Sequence, residues 1–319
     1  MIRASVVICT HNRAAMVGRA VEAALTEARA TEAEVLVVDN ASTDATAAVL
    51  AAYEDSALRV VREPRLGLSA ARNRALAEAR GDVVAFLDDD ALPRPSWLAA
   101  LLAPYASGEV ACVGGRIRLA FPGPAPGWLP AELYPAFGAF DLGDEPRRLQ
   151  YRPGDEYPYG GNISFRKSAA VAGGGFSTRV GLRGKVQLQH EETDLCYRLD
   201  QAGGHVRYAP AAVVDHAVLP ERLTAGWLLT RHRHRGRSEA IFQLANRGMH
   251  HALGRVRWYY AAHLVALPYA PREPIDGRRL ARECRRQEAI GYLAELARGI
   301  VQGHGRPSLP PLRAAAANR

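Results

Sequence analysis

Three short acidic segments hold the side chains most able to do chemistry. Asp88, Asp89 and Asp90 are consecutive, residues 190–194 read His-Glu-Glu-Thr-Asp, and residues 39–44 read Asp-Asn-Ala-Ser-Thr-Asp. Like charges this close repel each other, so such clusters cost stability unless a cation or hydrogen-bond donors offset them. Hard oxygen ligands favour Mg²⁺ or Mn²⁺, which keep coordination positions open for substrate phosphates. The aspartate triplet is therefore a candidate metal site, with a solvated turn as the alternative.

The second acidic segment is predicted to begin a helix. On a helix Glu191 and Asp194 share a face, whereas Glu192 projects elsewhere. Acids in a first helical turn also suit the helix dipole, and this structural role could explain one or two of them. A carboxylate beside a bound sugar donor could instead remove the proton of an incoming hydroxyl. The three acids are therefore catalytic candidates.

In the first 120 residues, predicted strands and helices alternate. Apolar runs predict strands at 2–9, 34–39, 58–62, 83–87 and 110–120, and helical spacing predicts helices at 14–28, 42–53, 67–80 and 95–105. Gly81 is expected to close the third helix, because glycine is the favoured residue just past a helix end. This alternation is typical of a mostly parallel sheet flanked by helices, an α/β fold. Ligands bind at the carboxyl ends of such strands. Three polar clusters are expected there, namely Thr10–Asn12, Asp39–Asp44 and Asp88–Asp90.

The remaining segments are less regular. Residues 121–158 are rich in Pro, Gly and aromatics, which is typical of a functional loop. Further elements are predicted in chain order: strand 159–166, helix 189–202, strands 205–208 and 212–216, and helices 224–246, 250–267 and 277–299. The tail 303–319 is expected to be disordered.

Six segments, taken together and in order, resemble family-2 inverting glycosyltransferases, which are bacterial enzymes with the GT-A fold. They are VVICTHNR (6–13), VLVVDNASTD (35–44), LGLSAARNRAL (66–76), VVAFLDDDALPRPSWL (83–98), GGNISFRK (160–167) and HEETDLCYRLDQAG (190–203). The resemblance covers about residues 2–218. It implies a GT-A, Rossmann-like catalytic domain at 1–220, with a nucleotide-sugar half to about residue 120 and an acceptor half after it. A basic helical extension would follow at 221–302.

The resemblance also implies a nucleotide-sugar site. Asp39 would face the base, typically uracil, and Arg72 and Asn73 match phosphate- and ribose-side positions. Asp89 would lie close to the ribose or the sugar. The full set of implied donor-binding residues is Thr10, Asn12, Asp39, Asp44, Arg72, Asn73, Asp88, Asp89, Gly161 and Asn162. For two of these an alternative is open: Ser42 or Thr43 could simply cap a helix beside Asp44, and the glycines before Asn162 could form a strand bulge.

Asp88 and Asp90 match the D-x-D motif of the family, which implies a Mn²⁺ or Mg²⁺ cofactor with Asp90 as the more direct ligand. His216 follows a strand where related enzymes often place a metal- or diphosphate-facing residue, and a buried structural histidine is the alternative.

Glu192 stands where the family has its catalytic aspartate, and His190 replaces a glycine. The choice between Glu191 and Glu192 as the base is therefore open, while Asp194 matches a position that braces the helix.

The charge of the chain is concentrated in its last third. Residues 221–319 contain 18 arginines against 7 acidic residues, although the whole chain carries a formal charge of +8. Such helices could contact anionic lipid, bind phosphorylated substrates or simply be solvated. Nucleic acid is not expected as a partner, because no recognised nucleic-acid module is present.

Trp128 is a candidate for stacking on an acceptor sugar, with a core position as the alternative.

The four cysteines are widely spaced and predict neither a zinc site nor a disulfide framework. The N-terminus runs directly into an apolar strand without a signal peptide, and no apolar run reaches the ~18 residues of a membrane span. The expected location is cytoplasmic, with peripheral contact at the inner face of the membrane as an open possibility.

The hypothesis is a metal-assisted single displacement. A sugar would move from a UDP-sugar to a hydroxyl of a glycan, lipid-linked or natural-product acceptor, with inversion and without a covalent intermediate. A carboxylate would act as general base. The alternative is a nucleotide-sugar-binding or scaffold protein of the same fold that has lost catalysis, which the changes at residues 190 and 192 motivate.

Overall fold

The computed structural model describes residues 3–151, 156–183, 186–256, 261–264, 268–272 and 274–301. The predicted tail at 303–319 lies outside the described residues, as do four residues inside the predicted helix 250–267 and three at its end.

Strands and helices alternate through the first hundred described residues, as predicted. The strands are β1 (Ala4–Thr10), β2 (Glu34–Asp39), β3 (Leu58–Arg62), β4 (Val83–Asp88), β5 (Ala91–Pro93), β6 (Val110–Ala120), β7 (Arg147–Leu149), β8 (Asn162–Arg166), β9 (Leu182–Arg183), β10 (Val186–Gln187) and β11 (His205–Ala217). The α-helices are α1 (Val17–Thr31), α2 (Thr46–Ala51), α3 (Leu68–Glu78), α4 (Trp97–Leu102), α5 (Lys167–Ala172), α6 (Glu191–Gln201), α7 (Ala225–Asn246), α8 (Gly248–Arg255), α9 (Ala261–Leu264) and α10 (Gly277–Val301).

The main sheet has the strand order β3-β2-β1-β4-β8-β6-β11-β5, with β7 added beside β11. The pairs among β3, β2, β1 and β4 are parallel, whereas β8 runs antiparallel to both of its neighbours. The middle strands are apolar almost throughout because helices cover both of their faces. Val6, Val37 and Phe86 are among the side chains that form this core.

Two predicted strands near residue 210 are one strand in the structure. β11 continues from His205 to Ala217, and its pairing with β6 shifts between Ala209 and Val213. Such a shift is a local bulge, which re-aims the side chains beyond it without ending the strand. The sequence pattern was interrupted at Pro210, which explains the wrong prediction of two strands. His216 follows this bulge near the end of β11.

The prediction for Gly81 was also wrong. Helix α3 ends at Glu78, and the next residue, Ala79, is already extended with ψ 136°. Gly81 does not adopt a positive φ. A Cβ atom here would lie 2.5 Å from the carbonyl carbon of Ala4 and 2.6 Å from the nitrogen of Ser5. Glycine is therefore needed for the close approach of the β4 entry to β1.

The C-terminal helices pack on each other and on the sheet domain. Helices α7 and α10 cross so closely that a Cβ at Gly236 would overlap the carbonyl oxygen of Glu288. A Cβ at Gly291 would likewise overlap the carbonyl oxygen of Arg233. An apolar cluster that includes Leu228 and Leu280 joins these helices to the 3₁₀ helix at Ala131–Phe137. Within the described residues, none of the helices combines the length and the apolarity that a bilayer crossing requires.

Replacing Gly291 by alanine is expected to lower the free energy of unfolding by about 1–3 kcal/mol, because the added methyl group overpacks the α7–α10 crossing. Chemical denaturation measures the change. The matched control is Gly226→Ala on α7, where no atom lies within 4 Å of the new Cβ. That variant should be neutral or slightly stabilising because alanine is the better helix former. Equal effects of the two substitutions would contradict the close helix crossing.

Candidate active site

The carboxyl ends of three adjacent parallel strands bring the first polar segments together. Thr10 at the end of β1 pairs in register with Asp39 at the end of β2. Cys9 pairs with Asp88 at the end of β4. The sequence predicted this gathering, because parallel strands end at the same edge of a sheet.

The three aspartates have different partners. Asp88 ends β4, and Asp89 and Asp90 follow in a turn that leads to β5. An Asp89 Oδ accepts a hydrogen bond from the Thr10 hydroxyl at 2.7 Å. Asp90 lies 3.0 Å from His216 Nε2 on β11, and its carbonyl oxygen accepts a hydrogen bond from the Ala217 amide. The antiparallel pairing of β5 with β11 therefore sets the distance between the turn and the histidine.

Burial and mutual repulsion act on the pKa values of this triplet. Burial and the charge of Asp90 raise the pKa of Asp89 to about 7, against the smaller effects of Arg13 and Thr10. The pKa of Asp88 is raised by the same two causes. Burial would also raise the pKa of Asp90, but the hydrogen bond and charge of His216 outweigh it, so that this pKa is lowered. Asp90 is thus the carboxylate that the surrounding cations hold ionised.

Asp88, Asp90 and His216 form a group able to hold a metal ion. One ligand atom from each lies within 4.8 Å of the others. Two carboxylate oxygens and one imidazole nitrogen suit a divalent first-row ion such as Mn²⁺, and leave positions for phosphate oxygens. His216 is buried, but its Nδ1 has no hydrogen-bond partner, whereas Nε2 faces the carboxylates. Nε2 lies 3.0 Å from Asp90 and 3.9 Å from Asp88, so it is the nitrogen that could bind an ion held by these carboxylates.

The two glutamates at the start of α6 differ in their surroundings. Glu191 is buried, and its carboxylate lies 2.9 Å from the Arg72 guanidinium. Burial, reinforced by the charge of Glu192, raises the pKa of Glu191 to about 8 despite the opposing charge of Arg72. Glu192 is partly exposed, accepts a hydrogen bond from the Gly160 amide at 3.2 Å on Oε1, and has no partner on its buried Oε2. Glu192 therefore keeps a buried carboxylate oxygen, Oε2, without a hydrogen-bond partner.

Arg72 connects the glutamates to the aspartates. Its guanidinium is buried between Glu191 at 2.9 Å and Asp88 at 3.8 Å. It also lies over the rings of Phe86 and Phe176, with distances of 5.7 and 5.5 Å to the ring centres. A buried arginine with two carboxylate partners and two aromatic faces is fixed in position. It lies between the candidate metal group and α6.

The glycine pair before β8 lies between the two acidic groups. A Cβ at Gly161 would lie 2.8 Å from Asp88 Oδ2, and one at Gly160 would overlap the Arg72 guanidinium. Only glycine allows this approach, since each hydrogen faces a charged side chain. Gly161 thus lies beside Asp88 of the candidate metal group. Asn162 is fully buried and uses its amide to bind Trp97 and the backbone of β6 and β11.

Four of the predicted donor-binding residues hold the loops at the sheet edge. Asp39 accepts a hydrogen bond from the Ser42 amide at 3.1 Å. Asn12 Oδ1 accepts from the Thr43 amide at 2.8 Å, and Asp44 from the Thr46 and Ala14 amides. The Asn73 amide is paired with both backbone groups of Phe176 at 2.8 Å. The structure therefore gives Asn73 a structural role beside the site.

A cavity of about 300 Å³ lies between α2 and β3, next to the end of β2. Its lining includes Asp39 and Ser42 together with one face of α2 and strand β3, namely Ala47, Ala51, Val60, Val61 and Arg62. Asp88–Asp90 and the glutamates do not line it. Asp88–Asp90 together with Glu191 and Glu192 are called the acidic centre below.

Helix α7 holds the catalytic candidates of α6 in place. The Gln189 amide, just before α6, donates to Ser238 Oγ at 2.8 Å. Asn246 Nδ2 donates to an Asp194 carboxylate oxygen at 2.7 Å, and Arg198 pairs with the same carboxylate at 2.7 Å. Asp194, one of the three catalytic candidates, is thereby committed to bracing the helix. It is not available to a substrate.

Several cations near the acids were not identified from the sequence. Arg13 lies 3.6 Å from Asp89 and 3.9 Å from Asp90, and Arg222 lies 3.9 Å from Asp90. Arginine is the usual cation of this chain, so composition gives these residues no distinguishing signal. Trp128 does not join the acidic centre, because it packs in the apolar cluster of the C-terminal helices.

Comparison with known proteins gives this geometry a family context. The family model described as "Glycosyl transferase family 2" matches residues 5–172. A glucosyl-dolichyl phosphate glucuronosyltransferase of Haloferax volcanii is 29% identical over 249 residues, which cover 76% of this chain and 78% of that protein. A pre-mycofactocin glycosyltransferase of Mycobacterium tuberculosis is 35% identical over 150 residues, 47% of this chain and 30% of that protein.

Solved structures share the fold. The mannosyltransferase PcManGT from Pyrobaculum calidifontis, in complex with GDP-Man and Mn²⁺, has a TM-score of 0.56 and 23% identity, covering 97% of this chain and 77% of its own. GalNAc-T7 with UDP, GalNAc and Mn²⁺ has a TM-score of 0.56 and 19% identity, covering 98% and 59%. The predicted GT-A fold is confirmed by these likenesses.

Replacing Arg72 by methionine is expected to lower the free energy of unfolding at pH 9 by about 3–5 kcal/mol, because Glu191, with a pKa of about 8, is ionised there and loses its counter-charge. The matched control is Arg74→Met on the same helix, whose side chain is 39% exposed and pairs with Glu78. That change should cost less than about 1 kcal/mol. Chemical denaturation measures both. Adding Glu191→Gln to Arg72→Met should recover stability, and no recovery would contradict the buried pair.

Proposed function

Because this chain belongs to glycosyl transferase family 2 and is a glycosyltransferase, we propose that it uses a UDP-sugar donor in an inverting single displacement. Glu192 is the general base of this proposal. It removes the proton of an acceptor hydroxyl while that hydroxyl attacks the anomeric carbon. Proton loss accompanies bond formation, so an ordinary carboxylate is basic enough.

One observation carries the assignment of the base, namely the free buried Oε2 of Glu192 beside the Gly160–Gly161 pair. The Gly160 amide orients Glu192, and Gly161 faces Asp88 of the candidate metal group. The base and the metal group therefore flank one short turn, across which a sugar can lie. Glu191 is the weaker choice because Arg72 already occupies its carboxylate.

The donor side follows from the acidic centre and the sheet edge. Asp88, Asp90 and His216 would hold the cofactor. We favour Mn²⁺, because Mn²⁺ accepts an imidazole ligand more readily than Mg²⁺ does. When bound, the ion would neutralise charge that develops on the diphosphate leaving group. Arg13 and Arg222 keep Asp90 oriented toward it.

Asp39 is the proposed recognition residue for the base. One of its oxygens accepts the Ser42 amide, and the other can accept a ring N–H of uracil. Asp39 also lines the cavity at the sheet edge. Guanine offers N–H donors as well, and the solved relatives include one with GDP-Man and one with UDP. We propose UDP on the resemblance of the donor motifs.

The acceptor belongs to the hydroxyl-bearing glycans, lipid-linked sugars or natural products. The Haloferax volcanii relative is named for a dolichyl phosphate-linked sugar, which favours the lipid-linked class. The proposed location is cytoplasmic, with the arginine-rich helices at the inner face of the membrane. We propose residues 1–220 as the catalytic domain and 221–302 as a helical extension that completes it, because α7 holds α6.

Replacing Glu192 by glutamine is expected to lower the rate of UDP release from the donor by about 10²–10⁴-fold, because the general base is lost. UDP affinity, measured by calorimetry with Mn²⁺ present, should stay within about twofold. The matched variant Glu191→Gln should lose less activity. Near-normal turnover of Glu192→Gln would assign the base to another residue. Wild-type protein that binds UDP-sugars without releasing UDP would instead be a binding or scaffold protein.

Replacing His216 by alanine is expected to weaken Mn²⁺ binding by at least about tenfold, since even the loss of a ligand's supporting partner costs that much. Electron paramagnetic resonance of free Mn²⁺ measures the affinity. The control is Asp215→Asn. Asp215 precedes His216 on β11 and forms a partly exposed ion pair with Arg94. Equal Mn²⁺ affinity of His216→Ala and wild type would contradict the ligand set, and full activity in excess chelator would contradict metal use.

A further inference from the structure

Arg231, in the second turn of α7, is a cation that the proposed mechanism does not use. Its Nε is buried and has no hydrogen-bond partner. Within the part of the chain that the structure describes, its guanidinium forms neither a hydrogen bond nor an ion pair, and it lies over the Trp227 ring at 6.0 Å. Burial, followed by the charge of Arg222, lowers the pKa of Arg231 to about 10. This arginine is therefore held in a costly position.

Two neighbouring arginines, Arg222 and Arg235, differ from Arg231 in having acidic partners. Arg222 lies 3.9 Å from Asp90. Arg235, one turn further along α7, lies 3.2 Å from Glu156 and 3.9 Å from Glu288. A charge that is largely withdrawn from water without a partner costs stability, and such groups cluster at functional sites. The open donors of Arg231 therefore indicate an anionic ligand.

The position of Arg231 indicates which substrate, the sugar donor or the acceptor, carries that anion. Arg222 is the arginine beside the metal group, where the donor diphosphate would lie. Arg231 and Arg235 are four residues apart and share a face of α7. Arg235 pairs with Glu156, whose carboxylate accepts a hydrogen bond from the Tyr159 hydroxyl. The next residue, Gly160, donates its amide to Glu192, so this face of α7 lies toward the segment that holds the proposed base. The base must face the acceptor hydroxyl. The Trp227 ring stacks on Phe137, with 5.0 Å between the ring centres, and it also contacts the Arg231 guanidinium.

We propose that Arg231 binds an anionic group, a phosphate or a carboxylate, which the acceptor carries close to the hydroxyl that Glu192 deprotonates. The planar guanidinium can donate two parallel hydrogen bonds to either group. This assignment rests on the proposed function and adds the charge class of the acceptor to it. Arg231 is a specificity-determining residue in this account.

The test uses the full chain saturated with UDP and Mn²⁺, so that the donor site is filled. Isothermal titration calorimetry then compares glucose 1-phosphate, glucuronate and glucose as probes. At least one anionic probe should bind about tenfold or more tightly than glucose, because charge-assisted hydrogen bonds to Arg231 form with it alone. Arg231→Gln should remove this difference. The matched control Arg233→Gln, at an exposed position of the same helix, should keep it.

Three outcomes would overturn the assignment. Glucose that binds as well as both anions, or anions that do not bind, would show that the acceptor site does not select for charge. Anion binding that UDP abolishes would assign Arg231 to the donor diphosphate. Unchanged selectivity in a folded Arg231→Gln would assign the anion to another residue, and Arg231→Lys serves if that variant does not fold. Failure of UDP and Mn²⁺ to bind wild type would instead contradict the proposed function.

Discussion

Repulsion between carboxylates is the constraint on which the rest of this structure depends. The sheet edge and the start of α6 bring five acids, Asp88–Asp90 and Glu191–Glu192, close together, and Asp89, Asp90 and Glu191 are buried. Burial together with the charge of a neighbouring acid raises the pKa of Asp89 and of Glu191. The protein offsets this cost with Arg72 at the centre and with other cations around it. A dication and a diphosphate would complete the balance.

The C-terminal helices are part of this arrangement. Helix α7 supplies the hydrogen bonds that fix both the residue before α6 and the bracing Asp194. It also carries Arg231 to the proposed acceptor side. The close crossing of α7 and α10 at Gly236 and Gly291 makes this support rigid, because two backbones in contact leave little freedom to shift. The arginine-rich composition of this region therefore includes residues that serve the acidic centre.

The sequence predicted most elements of the fold, since the apolar periods of β1, β2 and β4 are regular. It also predicted that Asp88–Asp90 lie at the same sheet edge as Thr10 and Asp39, because parallel strands end together. It could not decide between Glu191 and Glu192, because the partner that distinguishes them, Arg72, is 119 residues away.

The sequence also did not reveal the hydrogen-bond partners of two asparagines near the site. A motif names Asn73 and Asn162, but only the fold shows that their amides bind the protein's own backbone. Pro210 suggested a strand end, whereas the sheet accommodates a bulge there. Local patterns thus indicate which residues lie near the site, and tertiary contacts decide what each one does.

Anomalous diffraction at the manganese edge, from crystals of the wild-type protein grown with Mn²⁺ and UDP, tests the central claim most directly. The account predicts one strong peak between Asp90, Asp88 and His216, with diphosphate oxygens on its open side. Carboxylates turned to solvent, without a peak beside the bound nucleotide, would contradict it.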